Sequence, residues 1–332
     1  MISLDITFFN ARLFRNSITA VAMLSPSFCR LSIRVQGPQV VDMNSSMQLS
    51  RTTLLTQFEF DLSTTFAGQV ATTDLPLLFP HLLELKLHCE CLAAISLLLS
   101  RIRLPALTDF DAFIEDRPFR WEFSWFLASV QTSGMGNTVQ GFRVVQEPPP
   151  WAPPALVDSR FILDWKDLQP CMAFSNLRRI CFDIKWKVEL TDNETLTLAS
   201  AWPCLEELLI NAHWGWNTRG GITPNGIVQL LLKCPSLRSV SVAIDTRSYT
   251  QLPQSPPSLE LTLPHEFSIN VVDSLIEEEA IPTMAAFFAS ISPRSLGFRR
   301  GLTMRFSPNC DLYIDRWRDV FRRVVNTINQ HS

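Results

Sequence analysis

Apolar and polar positions alternate along this chain in a phrase that keeps returning, Pro-x-Leu-x-x-Leu-x-Leu. It stands as Phe79-Pro80-His81-Leu82-Leu83-Glu84-Leu85-Lys86-Leu87, as Trp202-Pro203-Cys204-Leu205-Glu206-Glu207-Leu208-Leu209-Ile210 and as Cys234-Pro235-Ser236-Leu237-Arg238-Ser239-Val240-Ser241-Val242, with a shorter copy at Leu104-Pro105-Ala106-Leu107. The second and third apolar residues of each phrase are two apart, so both point to one face of a short strand. Pro80, Pro105, Pro203, Pro235 and Pro257 each sit two residues before the first Leu. There a fixed φ and a missing N–H stop a preceding helix.

With that first apolar residue as anchor, units fall at Phe28, Leu55, Leu82, Leu107, Val139, Leu177, Leu205, Leu237 and Leu259, spaced by 27, 27, 25, 32, 38, 28, 32 and 22 residues. The unit at Val139 lacks the proline. Units of roughly 20 to 40 residues cannot bury their own apolar face and must stack on their neighbours. The expected fold is therefore α/β: an irregular, horseshoe-like leucine-rich-repeat solenoid forming a single domain over 1–332, with parallel inner strands and helices on the convex side.

Between the strands, Leu92, Ile95, Leu98, Leu99 and Ile102 make an apolar stripe at the helical period. Thr191 and Glu194 have the spacing of a capping box. Thr223-Pro224 sets a capping hydroxyl before a first-turn proline and predicts a helix over 225–233. Helices are also expected over 274–290 and 315–330, the second carrying Trp317, Val320, Phe321, Val324, Val325 and Ile328 as a stripe that would cover the last unit. Gly134 to Asn137 reads as a loop. The proline-rich segment 148–154, Pro-Pro-Pro-Trp-Ala-Pro-Pro, is expected to be a stiff, extended loop.

Composition narrows the function classes. A chain of 332 residues with 46 % hydrophobic and 18 % charged residues has ample material for a core. A net charge of -3 supplies no basic field for nucleic acid or an anionic membrane. The longest apolar runs fall short of a membrane span. Arg12 and Arg15 precede the apolar stretch Ile18 to Leu24, but Asp5 and Asn10 and the repeat phrase from Phe28 argue against a targeting peptide. Eight scattered cysteines, several at repeat positions that are apolar elsewhere, read as reduced thiols and point to a cytoplasmic or nuclear protein.

No residue set forms a catalytic or phosphate-binding motif, so no enzyme and no cofactor is expected. In His88-Cys89-Glu90-Cys91 strand alternation sends His88 to the face opposite the two cysteines, and no second cluster has zinc spacing, so a metal site is not expected either. Gly220-Gly221 reads as a turn before a helix.

Binding residues are sought where the strands end. Lys185-Trp186-Lys187, His213-Trp214-Gly215-Trp216 and Arg247-Ser248-Tyr249 follow three consecutive strands and would line one rim. The candidate partner-binding residues are Trp186, His213, Trp214, Trp216, Arg247 and Tyr249, because Trp, Tyr and Arg bury large area at low entropic cost. The alternative is that the tryptophans pack the loops down. Along the inner face, Glu84, Lys86, His88, Asp109, Asp111, Arg143, Arg179, Asp183, Glu207, Asn211, Ser239 and Ser241 are expected to meet solvent. That mixed-sign surface suits protein or peptide recognition.

From about Phe161 onward the chain resembles the leucine-rich-repeat region of F-box-type proteins of mushroom-forming fungi. The residues concerned are Trp165-Lys166-Asp167-Leu168-Gln169-Pro170 leading into Phe174-Ser175-Asn176-Leu177, then Thr191-Asp192, Ala201-Trp202-Pro203, His213-Trp214-Gly215-Trp216, Gly221-Ile222-Thr223-Pro224-Asn225-Gly226 and Cys234-Pro235-Ser236-Leu237. The resemblance implies a protein-protein interaction module, the substrate-recognition part of a cullin-type ubiquitin ligase. Members of that family begin with an F-box that docks the ligase adaptor. None stands ahead of Phe28, so the adaptor is an expected partner only if an F-box lies upstream. The alternative is a stand-alone scaffold or regulator unrelated to ubiquitin, or a truncated, non-functional paralogue.

Overall fold

In three of the four phrases the opening turn is closed by a backbone hydrogen bond. Leu107 N–H donates to Leu104 O (3.3 Å), Leu205 N–H to Trp202 O (3.1 Å) and Leu237 N–H to Cys234 O (3.0 Å). Pro105, Pro203 and Pro235 thus hold the second position of a four-residue turn, which a fixed φ favours. Leu177 closes the same turn on Phe174 O (3.1 Å) with Ser175 in the proline's place. The proline has two duties, since helices end at Ala201 and Lys233, two residues ahead of Pro203 and Pro235.

The computed structural model describes residues 2–8, 28–35, 55–62, 76–147, 161–218, 221–247, 267–291, 303–305 and 313–330. The proline-rich segment 148–154, Tyr249, the anchor Leu259 and the stretch Ile18 to Leu24 lie outside them. The protein is a mixed α/β molecule built on parallel strands. The chain divides into two compact units, Met1–Ala155 with Ala173–Leu177, and Leu156–Met172 with Arg178–Ser332.

The first unit runs β1 (Ile2–Phe8), β2 (Phe28–Val35), β3 (Gln57–Leu62), β4 (Leu77–Leu78), β5 (Glu84–Cys89), α1 (Leu92–Arg101), β6 (Ile102–Arg103), β7 (Asp109–Ile114), α2 (Arg120–Thr132) and β8 (Gly141–Gln146). Its sheet has the order β1-β2-β3-β5-β7-β8, parallel throughout. Arg30 pairs with Gln57, Gln57 with Glu84, Glu84 with Asp109 and Asp109 with Gly141, so the sheet repeats at the 27, 27, 25 and 32 residues of the anchor spacing. One carbonyl recurs at each step. Thr56 O accepts from Leu83 and Glu84 N–H, Leu83 O from Thr108 and Asp109, and Thr108 O from Gln140 and Gly141. Leu85, Leu87 and Cys89, then Phe110, Ala112 and Ile114, then Phe142 and Val144 face the core. Each Leu, Ile, Phe and Val among them contributes roughly 1.5 to 3 kcal/mol on removal from water. The expected stripe Leu92, Ile95, Leu98 and Leu99 is buried on α1, while Ile102 opens β6.

The second unit runs β9 (Ile162–Asp164), α3 (Trp165–Leu168), β10 (Arg179–Asp183), β11 (Lys187–Glu189), α4 (Asp192–Ala201), β12 (Glu207–Ile210), α5 (Pro224–Lys233), β13 (Ser239–Ser241), β14 (Ser268–Asn270), α6 (Ile281–Ile291), β15 (Thr303–Arg305) and α7 (Ile314–Gln330). Strands β10, β12, β13, β14 and β15 pair in that order, all parallel. Arg178 O accepts from Glu206 and Glu207 N–H, and Glu206 O from Arg238 and Ser239, repeating the bond of the first unit. The strand beside β13 is Ser268–Asn270, with Phe267, Ile269 and Val271 buried. Its register is set by Phe267-Ser268-Ile269-Asn270-Val271.

Both predicted caps form. Thr191 and Glu194 make a reciprocal box on α4, and Thr223 Oγ1 accepts from Gly226 N–H (3.2 Å) at the start of α5. The two helix starts are also tied together, because Asp192 accepts from Thr223 N–H (2.8 Å) and from its hydroxyl. A Cβ on Gly226 would come within 2.1 Å of Asp192 Oδ1, so only glycine permits that approach. Near the C-terminus, the helix expected over 274–290 begins later, with a 3₁₀ turn at Glu278–Ala280 before α6. Helix α7 packs on α6 through Trp317, whose indole donates to Ser274 O (2.8 Å) and meets Phe288 edge-on. Val320 and Val324 are buried with it, whereas Phe321 and Val325 remain exposed.

Candidate functional site

The loops that follow β10, β12 and β13 are held by polar side chains from the ends of later strands, and these loops carry most of the sequence-predicted site. Asn211, with φ of +50°, follows β12 and is fully buried. Its Oδ1 accepts from Ile184 N–H (3.0 Å) and its amide donates to Trp186 O (2.8 Å), joining the loop after β10 to the loop after β12. Asp273 does the same one step further, accepting from Trp216 N–H and Asn217 N–H, both at 2.7 Å. Burial pushes the Asp273 carboxyl above its ordinary range even with those two donors. Gly215 has φ of +75°, and a Cβ there would meet Asp273 Cγ at 2.7 Å.

This scaffold divides the six candidates. Trp186 and Trp216 are completely buried. The Trp216 indole donates to Ile210 O (2.9 Å), and the Trp202 indole is satisfied in the same way by Cys171 O (3.0 Å). Trp186 and Trp216 are therefore packing residues that close the ends of the strands, and their assignment as binding anchors is corrected. The physical reason is area: an indole at the end of a short strand has a whole core edge to cover, and its one N–H finds a loop carbonyl.

His213 and Trp214 do reach the surface. The His213 side chain is 80 % exposed, and its Nδ1 is paired with the carboxylate of the buried Asp183, which also accepts from His213 N–H (3.2 Å). Lys185 Nζ lies 5.1 Å from the centre of the partly exposed Trp214 ring. His213, Trp214, Lys185 and Asp183 thus form one polar-aromatic patch. Arg247 lies elsewhere in this unit, clasping Asp245 through Nε (3.0 Å) and Nη2 (2.7 Å). That guanidinium holds the Asp245 carboxyl below its ordinary value. The pair borders an open cleft of about 560 Å³ with Asp164, Trp165, Glu189 and Glu194. Tyr249 lies outside the described residues.

The inner-face expectation needs a similar division. Asp183, Asn211 and Ser241 are buried at strand ends and do not meet solvent; Asp183 is taken up by His213 and Asn211 by Ile184 N–H and Trp186 O. In the first unit the face is open and patterned. His88 lies 3.6 Å from Glu59, and Lys86 3.9 Å from Asp111. The His88 imidazole stacks on Phe113 with centroids 4.6 Å apart, and the exposed Arg143 guanidinium sits 5.3 Å from the same ring. Phe113 was not among the sequence candidates. Its signal was present in Asp109-Phe110-Asp111-Ala112-Phe113-Ile114, where strand parity sends Phe110 inward and Phe113 outward.

In His88-Cys89-Glu90-Cys91, His88 is on the open face and Cys89 is buried on the other. Among the described residues no group of three or more His, Cys, Asp or Glu is placed to hold a metal ion, and no helix is long and apolar enough to cross a membrane. No protein-family model and no curated protein matches the chain.

Proposed function

We propose that this chain is a leucine-rich-repeat-type solenoid that binds a protein partner on the open sheet face of its first unit. The observation that carries the reading is the row of side chains standing on that face, the His88, Phe113 and Arg143 stack beside the Lys86–Asp111 and Glu59–His88 pairs. An aromatic ring between a cation and an imidazole on a solvent-facing strand offers an apolar anchor ringed by both signs of charge, the composition of binding hot spots. The solenoid reading is supported by the recurring carbonyl bond and by parallel pairing at the anchor spacing. The exposed His213, Trp214 and Lys185 group in the second unit is a second contact surface in this reading.

The resemblance after Phe161 gives the proposal its context, recognition of a substrate for a cullin-type ubiquitin ligase. The test is affinity purification of the full chain from its own cells with quantitative mass spectrometry, alongside Phe113→Ala and Arg143→Glu variants of unchanged melting temperature. Binding at this face predicts one set of proteins depleted at least tenfold by both variants. Equal recovery with wild type and variants would rule out the face. Absence of cullin-adaptor subunits from every sample would leave binding standing and remove the ubiquitin role.

A further inference from the structure

On the open sheet face of the first unit the carboxylates are engaged within the protein, and one cation is not. Glu59 lies against His88 (3.6 Å) and Asp111 against Lys86 (3.9 Å), while Glu84 accepts from the Gln57 amide (2.5 Å) and Asp109 from the Thr108 hydroxyl (3.0 Å). Gln57 in turn accepts from Arg30 Nε. Arg143 differs from all of these. Among the described residues its guanidinium makes no hydrogen bond and no ion pair, and it is held by the ring of Phe113, 5.3 Å away.

The register shows how it is placed. Arg143 stands opposite Asp111 on the adjacent strand, but Lys86 takes Asp111 from the other side. Strand β7 lies between β5 and β8, so Phe113 is braced by the His88 imidazole of β5, the two rings 9° from parallel, and carries the Arg143 guanidinium of β8. A guanidinium held over an aromatic ring keeps its N–H groups available and has less freedom left to lose on binding. Height sorts the two signs of charge. Arg30, Lys86 and Arg143 are exposed, whereas Glu59, Glu84, Asp109 and Asp111 are half-buried closer to the sheet. A partner approaching this face therefore meets cationic heads first.

We propose that Arg143 is the specificity-determining residue of this face and that the partner protein brings an aspartate or glutamate carboxylate to it. The inference rests on the reading that a protein binds here. A carboxylate matches the guanidinium fork with two parallel N–H···O bonds, which fixes orientation as well as adding attraction. Lys86 stands on the same rung two strands away, about 10 Å, and offers a second, point-like donor to a further acidic side chain. An apolar or basic group set against Arg143 would strip water from the guanidinium without supplying an acceptor, so the same residue that favours acidic segments rejects others.

The test uses the full chain as bait, confirms an unchanged melting temperature for every variant, and follows the proteins that Phe113→Ala depletes. Arg143→Lys, Arg143→Gln and Arg143→Glu form a series at one exposed position. An acidic group opposite predicts recovery falling in that order: Arg143→Lys at least threefold below wild type, because the fork is lost, and Arg143→Glu at least fivefold below Arg143→Gln, because two carboxylates then meet. Recovery with Arg143→Glu equal to or above that with Arg143→Gln would overturn the inference. Treating the lysate with a broad-specificity phosphatase separates the two sources of an oxyanion. Recovery within threefold of the untreated sample supports a side-chain carboxylate, and a larger loss would assign a phosphate instead and overturn the choice of Asp or Glu. If Phe113→Ala depletes no protein, the binding face itself is lost; if it depletes proteins that the Arg143 series leaves unchanged, only the carboxylate is.

Discussion

Trp214 and Trp216 stand two residues apart in one loop, and replacing each by alanine separates a surface role from a structural one. Trp216 is fully buried and gives its indole N–H to Ile210 O at 2.9 Å. Truncating a buried tryptophan costs about 3 to 5 kcal/mol, through lost transfer energy and the cavity left behind. Its compact unit is of a size where 1 kcal/mol shifts the melting temperature by about 2 to 4 °C. Trp216→Ala should therefore lower the melting temperature by roughly 8 to 16 °C, taking the middle of that range. Trp214 is partly exposed and meets Lys185 over its ring at 5.1 Å, a contact worth about 0.5 to 1 kcal/mol at an exposed site. Trp214→Ala should shift the melting temperature by less than about 4 °C. The assay is thermal unfolding followed by far-ultraviolet circular dichroism, with urea titration at 25 °C giving the free energies. Equal shifts for the two variants, or a Trp216→Ala protein that melts within 3 °C of wild type, would refute the division of this loop into core and surface.

Three further outcomes follow from the buried polar groups. Among the described residues Thr195 Oγ1 is a buried side-chain oxygen with no partner, beside a small apolar cavity under α4, so Thr195→Val should raise stability by about 1 kcal/mol by urea titration. Asn211→Ala should cost about 2 to 4 kcal/mol, because it orphans Ile184 N–H and Trp186 O and keeps a non-glycine residue at positive φ. Asn211→Gly should cost about 1 kcal/mol less, and an equal loss would show that the backbone there is unstrained. Burial raises the folded-state value of Asp273, so its contribution is full below the unfolded value, near pH 4, and is lost as pH rises through the folded value. Asp273→Asn does not titrate, so its stability relative to wild type should improve between pH 4 and 7; a constant difference across that range would show that the carboxyl is not desolvated.

The strands and caps were legible because their causes are local. Leu85 and Leu87 must share a face whatever surrounds them, Pro203 and Pro235 set a turn through their own φ, and Thr191 with Glu194 close a cap within one helical turn. The amphipathic α2, with Phe123, Phe126, Leu127 and Val130 inward and Trp121 outward, went unassigned between the anchors Leu107 and Val139. The strand at 268–270 was harder because Phe267-Ser268-Ile269 carries the alternation of a strand without the leucines and proline that mark the units at Leu82, Leu205 and Leu237.

The candidate site was legible only as a set of side chains leaving the strand ends. Their fates depend on residues far along the chain. Trp216 and Asn217 are held by Asp273, more than fifty residues away, and Trp186 is held by Asn211 from the neighbouring loop. Sequence by itself determined the period, the turns and the inward face of each strand, since these rest on dihedral preference and two-residue alternation. Tertiary structure decided which aromatic rings fill the core and which remain at the surface. That choice turns on hydrogen-bond partners and free volume contributed by residues distant in the chain, which no local pattern contains.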